Sequence, residues 1–502
     1  MILDKGELLT ELSLGINEVN PLRTLGLVAL LVERVSTVDE IEILLKRSNE
    51  LVQDNNLSEL QTTELFYYMG NSWSALSSIK FPHPSLELER PECEKAILLF
   101  RKAILSSGFC YAHPLLKSAI QINLANHLSE MGRSLEAIRL YDSALQDYPN
   151  HGMAIGGKAI CVEAFAGRLH ENKKRSAMQQ LAYDYFRQAL SSSNLTPEAE
   201  EDFRKRLTNL ELNGERLVYS FECGTDPKEV EYKAWCFNNG LYLNPFCDLK
   251  HPLGARDYFL LPQVSRKSSD TSRAEIISFF KYYNILKQEY VSTRYILFSG
   301  VHLLNVHFSD NHVSLSDTED EPIHSLSLEK MKLAFRSAYS LLDKVAYFLN
   351  EYFQLDTPKN HIYFRSVWYE AKGKKNEKAR LREQFINSNN WPLRGLYWLS
   401  KDLFYKIEDD LGVSEPVDPE AFKLYTLRNT LEHKFFDISS KNGEIGFSNS
   451  IKDFEEKTLK VLRLAREALI YLPQIIETDQ RSSLKKSKVL MYNLNLRQLE
   501  RD

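Results

Sequence analysis

The sequence is poor in the residues that punctuate short elements. Its 502 residues include 20 glycines and 17 prolines, too few for the many turns of an all-β protein and suited to long helices. Cysteine is scarce too. The six residues Cys93, Cys110, Cys161, Cys223, Cys236 and Cys247 all fall in the first half and form no C-x-x-C pair, which reads as reduced cytosolic thiols. Cys223, Cys236, Cys247 and His251 lack the tight ligand pairs that pre-form half a zinc site, so buried thiols are expected and no metal. Neither sign of charge dominates, with Lys+Arg at 63, Asp+Glu at 68 and a net charge of −5. A generic basic coat for nucleic acid is excluded, and any such contact must be local. Long hydrophobic runs are absent: Leu25–Val32 is far too short to span a bilayer. Met1–Glu7 has neither the basic nor the apolar region of a signal peptide. No G-x4-G-K-[ST] phosphate loop occurs, and no cofactor is expected. A cytoplasmic protein with no membrane association follows from this reading.

What is present is ample material for a core. Hydrophobic residues make up 43%, aromatics 11% and charged residues 26%, which excludes disorder for most of the chain. The length favours two to four domains. In the first half one helical pattern recurs, as Ala96/Phe100/Ala103, Ala137/Tyr141/Ala144 and Ala182/Phe186/Ala189. Small residues at such positions let paired helices approach, while the bulky one supplies a knob for a neighbour. Around the middle copy, Leu124, Ala125, Leu128, a turn glycine at Gly132 and a closing proline at Pro149 complete a unit. The pattern resembles the tetratricopeptide repeat (TPR). Ser58–Lys80 is expected as an earlier first helix, Asn194–Leu212 as a closing helix, and the polar stretch Glu171–Ser176 as an inserted loop. Arrays of this kind usually bind a protein or peptide partner.

From Gly214 to Pro262 aromatics mix with Asn-Gly and Asn-Pro, which suits a short helix followed by a packed irregular loop. Beyond residue 266, apolar stripes at helical spacing mark Ser272–Phe298, Ser327–Tyr352, Trp391–Leu411, Pro419–Phe436 and Ile451–Leu472, the pattern of a bundle. Ser309–Pro322 reads as an exposed acidic insertion, with His302, His307 and His312 beside it at a spacing that fits no shared metal face. The helix at 419–436 is the informative one. Asp418 suits its N-cap and Pro419 its first position. Leu424, Leu427, Leu431 and Phe435 form a stripe facing the bundle, while Phe422, Thr426, Asn429, His433 and Phe436 form a nearly opposite one. A helix with two such faces has one to give to a second copy of the chain, and an isologous contact would bring two Arg428/His433 sets into one cleft.

Arg428-Asn429-x3-His433 resembles the R-polar-x3-H motif of HEPN domains, all-helical bundles that commonly act as metal-independent ribonucleases when two protomers pair. Of the twelve histidines, only His433 has an arginine five to seven residues before it. The resemblance covers about residues 266–475 and, with the repeats ahead of it, is similar to a TPR–HEPN arrangement. It implies an all-α protein: an N-terminal helical segment (1–57), a TPR-like helical-hairpin array (58–213), an irregular junction (214–265), a HEPN-like helical bundle (266–475) and a basic tail (476–502). It also implies an endoribonuclease acting on RNA as a homodimer, in a bacterial toxin or phage-defence setting, with the repeats as sensor.

The chemistry fits these residue types. RNA carries its own nucleophile, the 2′-OH, so a catalyst must supply a proton acceptor, a proton donor and positive charge. An imidazole, with a reference pKa of about 6.5, can be base or acid near neutral pH. Arg428 can grip a phosphate with two parallel bonds, and Asn429 can hold the imidazole tautomer or touch the phosphate. Lys372, Lys374, Lys375, Lys378, Arg380 and Arg382 could gather RNA phosphates, as could Arg481, Lys485, Lys486 and Lys488, or each set could be a solvated loop or tail. The alternative function is a non-catalytic adaptor that keeps the bundle and dimer face and mediates protein–protein interaction.

Overall fold

The computed structural model describes residues 4–14, 20–53, 56–81, 87–169, 172–210, 225–262, 273–303, 306–316, 323–370, 379–403, 416–436, 438 and 450–484. Among them the regular structure is seventeen α-helices with short 3-10 turns and no strand, an all-α fold. None of these helices is long and apolar enough to cross a membrane. The chain divides into two compact units, one of residues 1–220, 368–389 and 397–429, the other of 221–367, 390–396 and 430–502.

The first unit is built on ten consecutive helices: α1 (Lys5–Ser13), α2 (Pro21–Leu31), α3 (Val38–Val52), α4 (Glu59–Lys80), α5 (Pro91–Leu105), α6 (Pro114–Glu130), α7 (Ser134–Asp147), α8 (Gly152–Ala166), α9 (Asn172–Leu190) and α10 (Pro197–Asn209). Local chemistry sets their starts. Thr37 with Glu40 and Ser58 with Gln61 form reciprocal capping boxes on α3 and α4, each satisfying two orphan N–H groups. Gly132 ends α6 at φ +83°, where a side chain would be strained, and lets the Arg133 N–H reach back to the Leu128 carbonyl at 2.8 Å.

Helices α4 and α5, α6 and α7, and α8 and α9 pack pairwise, and α5–α6 and α7–α8 contacts join the pairs. All nine residues of the three recurring triplets are buried. Two of the knobs, Phe100 and Tyr141, are seated on glycines. A Cβ at Gly70 would lie 2.6 Å from the Phe100 ring, and one at Gly157 would lie 2.5 Å from the Tyr141 ring. Asn172–Ser176 is not a loop but the first turn of α9, since a run of charged and amide residues has adequate helix propensity and α9 needs length to cover α8.

The second unit centres on α12 (Arg273–Val301), α13 (Leu326–Phe353) and α17 (Ile451–Leu484), which pack on one another. Helix α11 (Pro227–Asn238) precedes a buried irregular segment from Leu241 to Leu249. That segment is held by two buried arginines. Arg294 of α12 reaches Asp257 at 2.8 Å and the Leu241 carbonyl at 2.9 Å. Arg466 of α17 donates to Asp248 at 2.6 Å and to the carbonyls of Tyr242 and Asn244 at 2.6 and 2.9 Å. Helix α17 runs to Leu484, well past the expected Leu472, although Pro473 lies inside it. Proline frees the carbonyl four residues back, and the buried Tyr283 hydroxyl satisfies it by donating to Leu469 at 3.1 Å.

The remaining helices are α14 (Glu383–Ile386), α15 (Trp391–Lys401) and α16 (Ala421–His433). Helix α15 ends at Lys401, short of the expected Leu411; residues 404–411 lie outside the described ones. The division between the units falls after Leu396 in α15 and after Asn429 in α16. Residues 397–429, counted with the bundle on sequence, thus share the compact unit of the N-terminal helices.

Candidate functional site

Helix α16 carries the three motif residues. It begins at Ala421 rather than Pro419, because Asp418, Pro419 and Glu420 form a turn in which the Asp418 carboxylate accepts from the Glu420 N–H at 2.8 Å. Ala421, Leu424 and Leu427 are buried and fix its inner face. Phe435 does not continue that stripe: it lies past the last helical residue and is fully exposed, at 104%. Helical geometry cannot carry a periodicity beyond the helix end.

On the other side, Phe422 and His433 are exposed while Thr426 and Asn429 are partly covered. Arg428 is partly buried, and its Nη1 donates to Asn429 Oδ1 at 3.0 Å. Asn429 and His433 stand one turn apart, and Arg428 and His433 are separated by about 140° and about 7.5 Å of rise. Cations gather where the helix ends. Arg336 of α13 donates to the Leu431 carbonyl of the last turn at 3.4 Å, and Lys332 donates to the Phe436 carbonyl, just past the helix, at 3.2 Å. Lys434 is exposed beside them. The imidazole therefore sits in solvent, at a helix terminus, with positive charge near it in the chain.

The other expected residues are more scattered. Of the proposed RNA-gathering segment, Arg380 is exposed and Arg382 partly so, while Lys372, Lys374, Lys375 and Lys378 lie outside the described residues. So do Lys485, Lys486 and Lys488 of the tail. Cys93, Cys161, Cys236 and Cys247 are buried cysteines and Cys110 is exposed; Cys223 is not among the described residues. Burial pushes Cys236 up to about 12 and Cys247 up to about 11, which keeps both protonated. Among the described residues no group of three His, Cys, Asp or Glu could hold a metal ion. His302 packs on Phe298, its ring 4.2 Å away, instead of pairing with His307 or His312.

A buried ionic cluster in the first unit escaped the sequence reading. Arg101 of α5 and Arg133, just before α7, both bond Asp402, at 2.6 and 2.8 Å, and both bond Glu136. Arg101 Nη1 also donates to the Val417 carbonyl at 3.2 Å and stands 3.8 Å from Asp418. Burial opposes the Arg101 charge, but Asp402, Glu136 and Asp418 outweigh it and hold the guanidinium above its ordinary pKa. Beside them Lys401 pairs with Glu94, both buried. Partners some 300 residues apart leave no periodicity to read.

Residues 270–479 match the family model described as LA2681-like HEPN, which supports a HEPN domain over α12 to α17. No curated protein and no solved structure matches the chain.

Proposed function

We propose that this protein is a metal-independent endoribonuclease whose site is assembled when the α16 helices of two copies meet. The observation that carries the reading is the motif helix itself: Arg428, Asn429 and an exposed His433 within the stretch that matches a HEPN family, a class whose members are generally ribonucleases. In each cleft one imidazole takes the proton of the RNA 2′-OH as its oxygen attacks the adjacent phosphorus. The P–O5′ bond then breaks, and a second, protonated imidazole gives its proton to the departing 5′-oxygen. Arg428 neutralises the extra charge on the phosphorane, and Asn429 orients Arg428. The products are a 2′,3′-cyclic phosphate and a 5′-OH, and no step calls for a metal, because the nucleophile belongs to the substrate.

The paired helices α4–α9 form a TPR-like array for a protein or peptide trigger, with their buried knob-on-glycine packing in support. Arg380, Arg382 and the lysines near them would gather RNA phosphates, and the setting is a cytoplasmic toxin or phage-defence system. The test is a single-stranded oligodeoxynucleotide carrying one ribonucleotide, incubated with the full chain in EDTA. Cleavage only 3′ of that ribonucleotide, leaving a cyclic phosphate, is expected. Cleavage of the all-deoxy strand overturns the mechanism, and no cleavage of either leaves the adaptor function.

A further inference from the structure

The cluster around Arg101 has a consequence for the motif helix. Residues 397–429 carry Arg428 and Asn429 yet share the compact unit of the N-terminal helices, and Arg101 grips this stretch at both ends of the run 404–415. At one end it forks onto Asp402, directly after α15, at 2.6 and 3.3 Å. At the other it holds the Val417 carbonyl at 3.2 Å and faces the Asp418 carboxylate at 3.8 Å. Asp418 in turn makes the turn into α16, its carboxylate on the Glu420 N–H and its carbonyl on the Ala421 N–H at 3.1 Å.

All of this lies in a buried setting, where an intact ion pair adds little net stability but the loss of one partner leaves a buried charge uncompensated. Arg101 is 7% exposed, Asp402 and Asp418 2% each. The fork demands a guanidinium, since five donors in a plane serve Asp402, Glu136 and Val417 together and an ammonium cannot. Leverage makes it matter. Arg428 lies seven residues beyond Ala421, the first helical residue, about 10 Å along the helix, so a 10° change of entry angle moves it by about 2 Å. Misplacement of a catalytic group by about 1 Å can cost about a hundredfold in rate.

We propose that Arg101 is a positioning residue: through Asp402, Val417 and Asp418 the N-terminal helices set the entry angle of α16, and with it the placement of Arg428 and Asn429. The regulatory part rests on the ribonuclease reading above. A trigger that shifts α5 or α7 would act on the site through this cluster, with no contact to RNA.

The experiment compares full-length wild type with Arg101→Lys, by hydrogen–deuterium exchange over residues 417–429 and by steady-state RNA cleavage. Arg101→Lys is expected to speed exchange across the start of α16 at least tenfold while α6 and α8 keep their protection. It should also lower kcat at least tenfold with KM within twofold, because phosphate-gathering groups are untouched. Unchanged protection in 417–429 overturns the proposal, as does an unchanged kcat. Should Arg101→Lys fail to fold, Arg101→Leu/Asp402→Leu removes the forked pair together and is judged by the same criteria. If wild type cleaves no RNA, the ribonuclease reading fails, whereas the exchange result still decides whether Arg101 sets α16.

Discussion

The pair Arg466–Asp248 allows a sharp test of how the second unit is held. Both side chains are 0% exposed, and the guanidinium donates to the two Asp248 oxygens at 3.0 and 2.6 Å. Its other bonds go to neutral carbonyls of Tyr242 and Asn244. Burial alone would lower its pKa, but the Asp248 charge raises it above the ordinary value. Asp248→Asn keeps the shape and removes the charge, leaving a buried cation among carbonyls. Breaking one side of such a pair costs about 3–5 kcal/mol. With a urea slope of about 3 kcal/mol/M for a unit of this size, the midpoint should fall by about 1–1.7 M. Urea melts followed by circular dichroism measure it. Arg466→Met/Asp248→Leu, which buries no charge, should recover most of the loss. A cost under about 1 kcal/mol for Asp248→Asn, or a double variant no better than the single one, would refute the reasoning.

Other outcomes follow from individual side chains. Burial drives His127 down to about 4 from 6.5, with Glu130 opposing and Arg90 assisting, so the folded chain holds it neutral. Its contribution is complete above pH 6.5 and is lost as pH falls through 4, a change of about 3 kcal/mol that melts of wild type and His127→Gln across that window should separate. Gly157→Ala places a methyl 2.5 Å from the Tyr141 ring and should cost about 1–3 kcal/mol in thermal melts. Gly26→Ala meets nothing within 4 Å and should instead stabilise α2 by about 0.5–1 kcal/mol. Tyr283→Phe strips the cover from the Leu469 carbonyl and should cost about 1–3 kcal/mol, read as a lower urea midpoint.

Legibility divided along physical lines. The triplets around Phe100, Tyr141 and Phe186 were readable because burial on a helix imposes a period, and that period survives in the sequence. The helix holding Arg428, Asn429 and His433 was readable for the same reason. Its ends were not: Pro419 lies in the turn before α16 and Phe435 beyond it, because caps and side-chain bonds such as Asp418 to Glu420 decide termini locally. The apolar stripe read to Leu472, yet α17 continues past Pro473 because a tyrosine from a distant helix covers the carbonyl the proline frees. The Arg101–Asp402 and Arg466–Asp248 pairs could not be seen at all. Each joins residues more than two hundred positions apart, and nothing in composition or spacing marks a charge as buried.

In the proposed ribonuclease, strand scission depends on the exposed imidazole of His433 and the neighbouring Arg428. Rates of single-stranded RNA cleavage in EDTA should be measured for wild type, His433→Ala and Arg428→Ala at matched concentration and matched solution mass. Wild type should cut, and each variant should lose at least about a hundredfold while keeping its thermal midpoint. Equal cutting by wild type and His433→Ala would contradict the account.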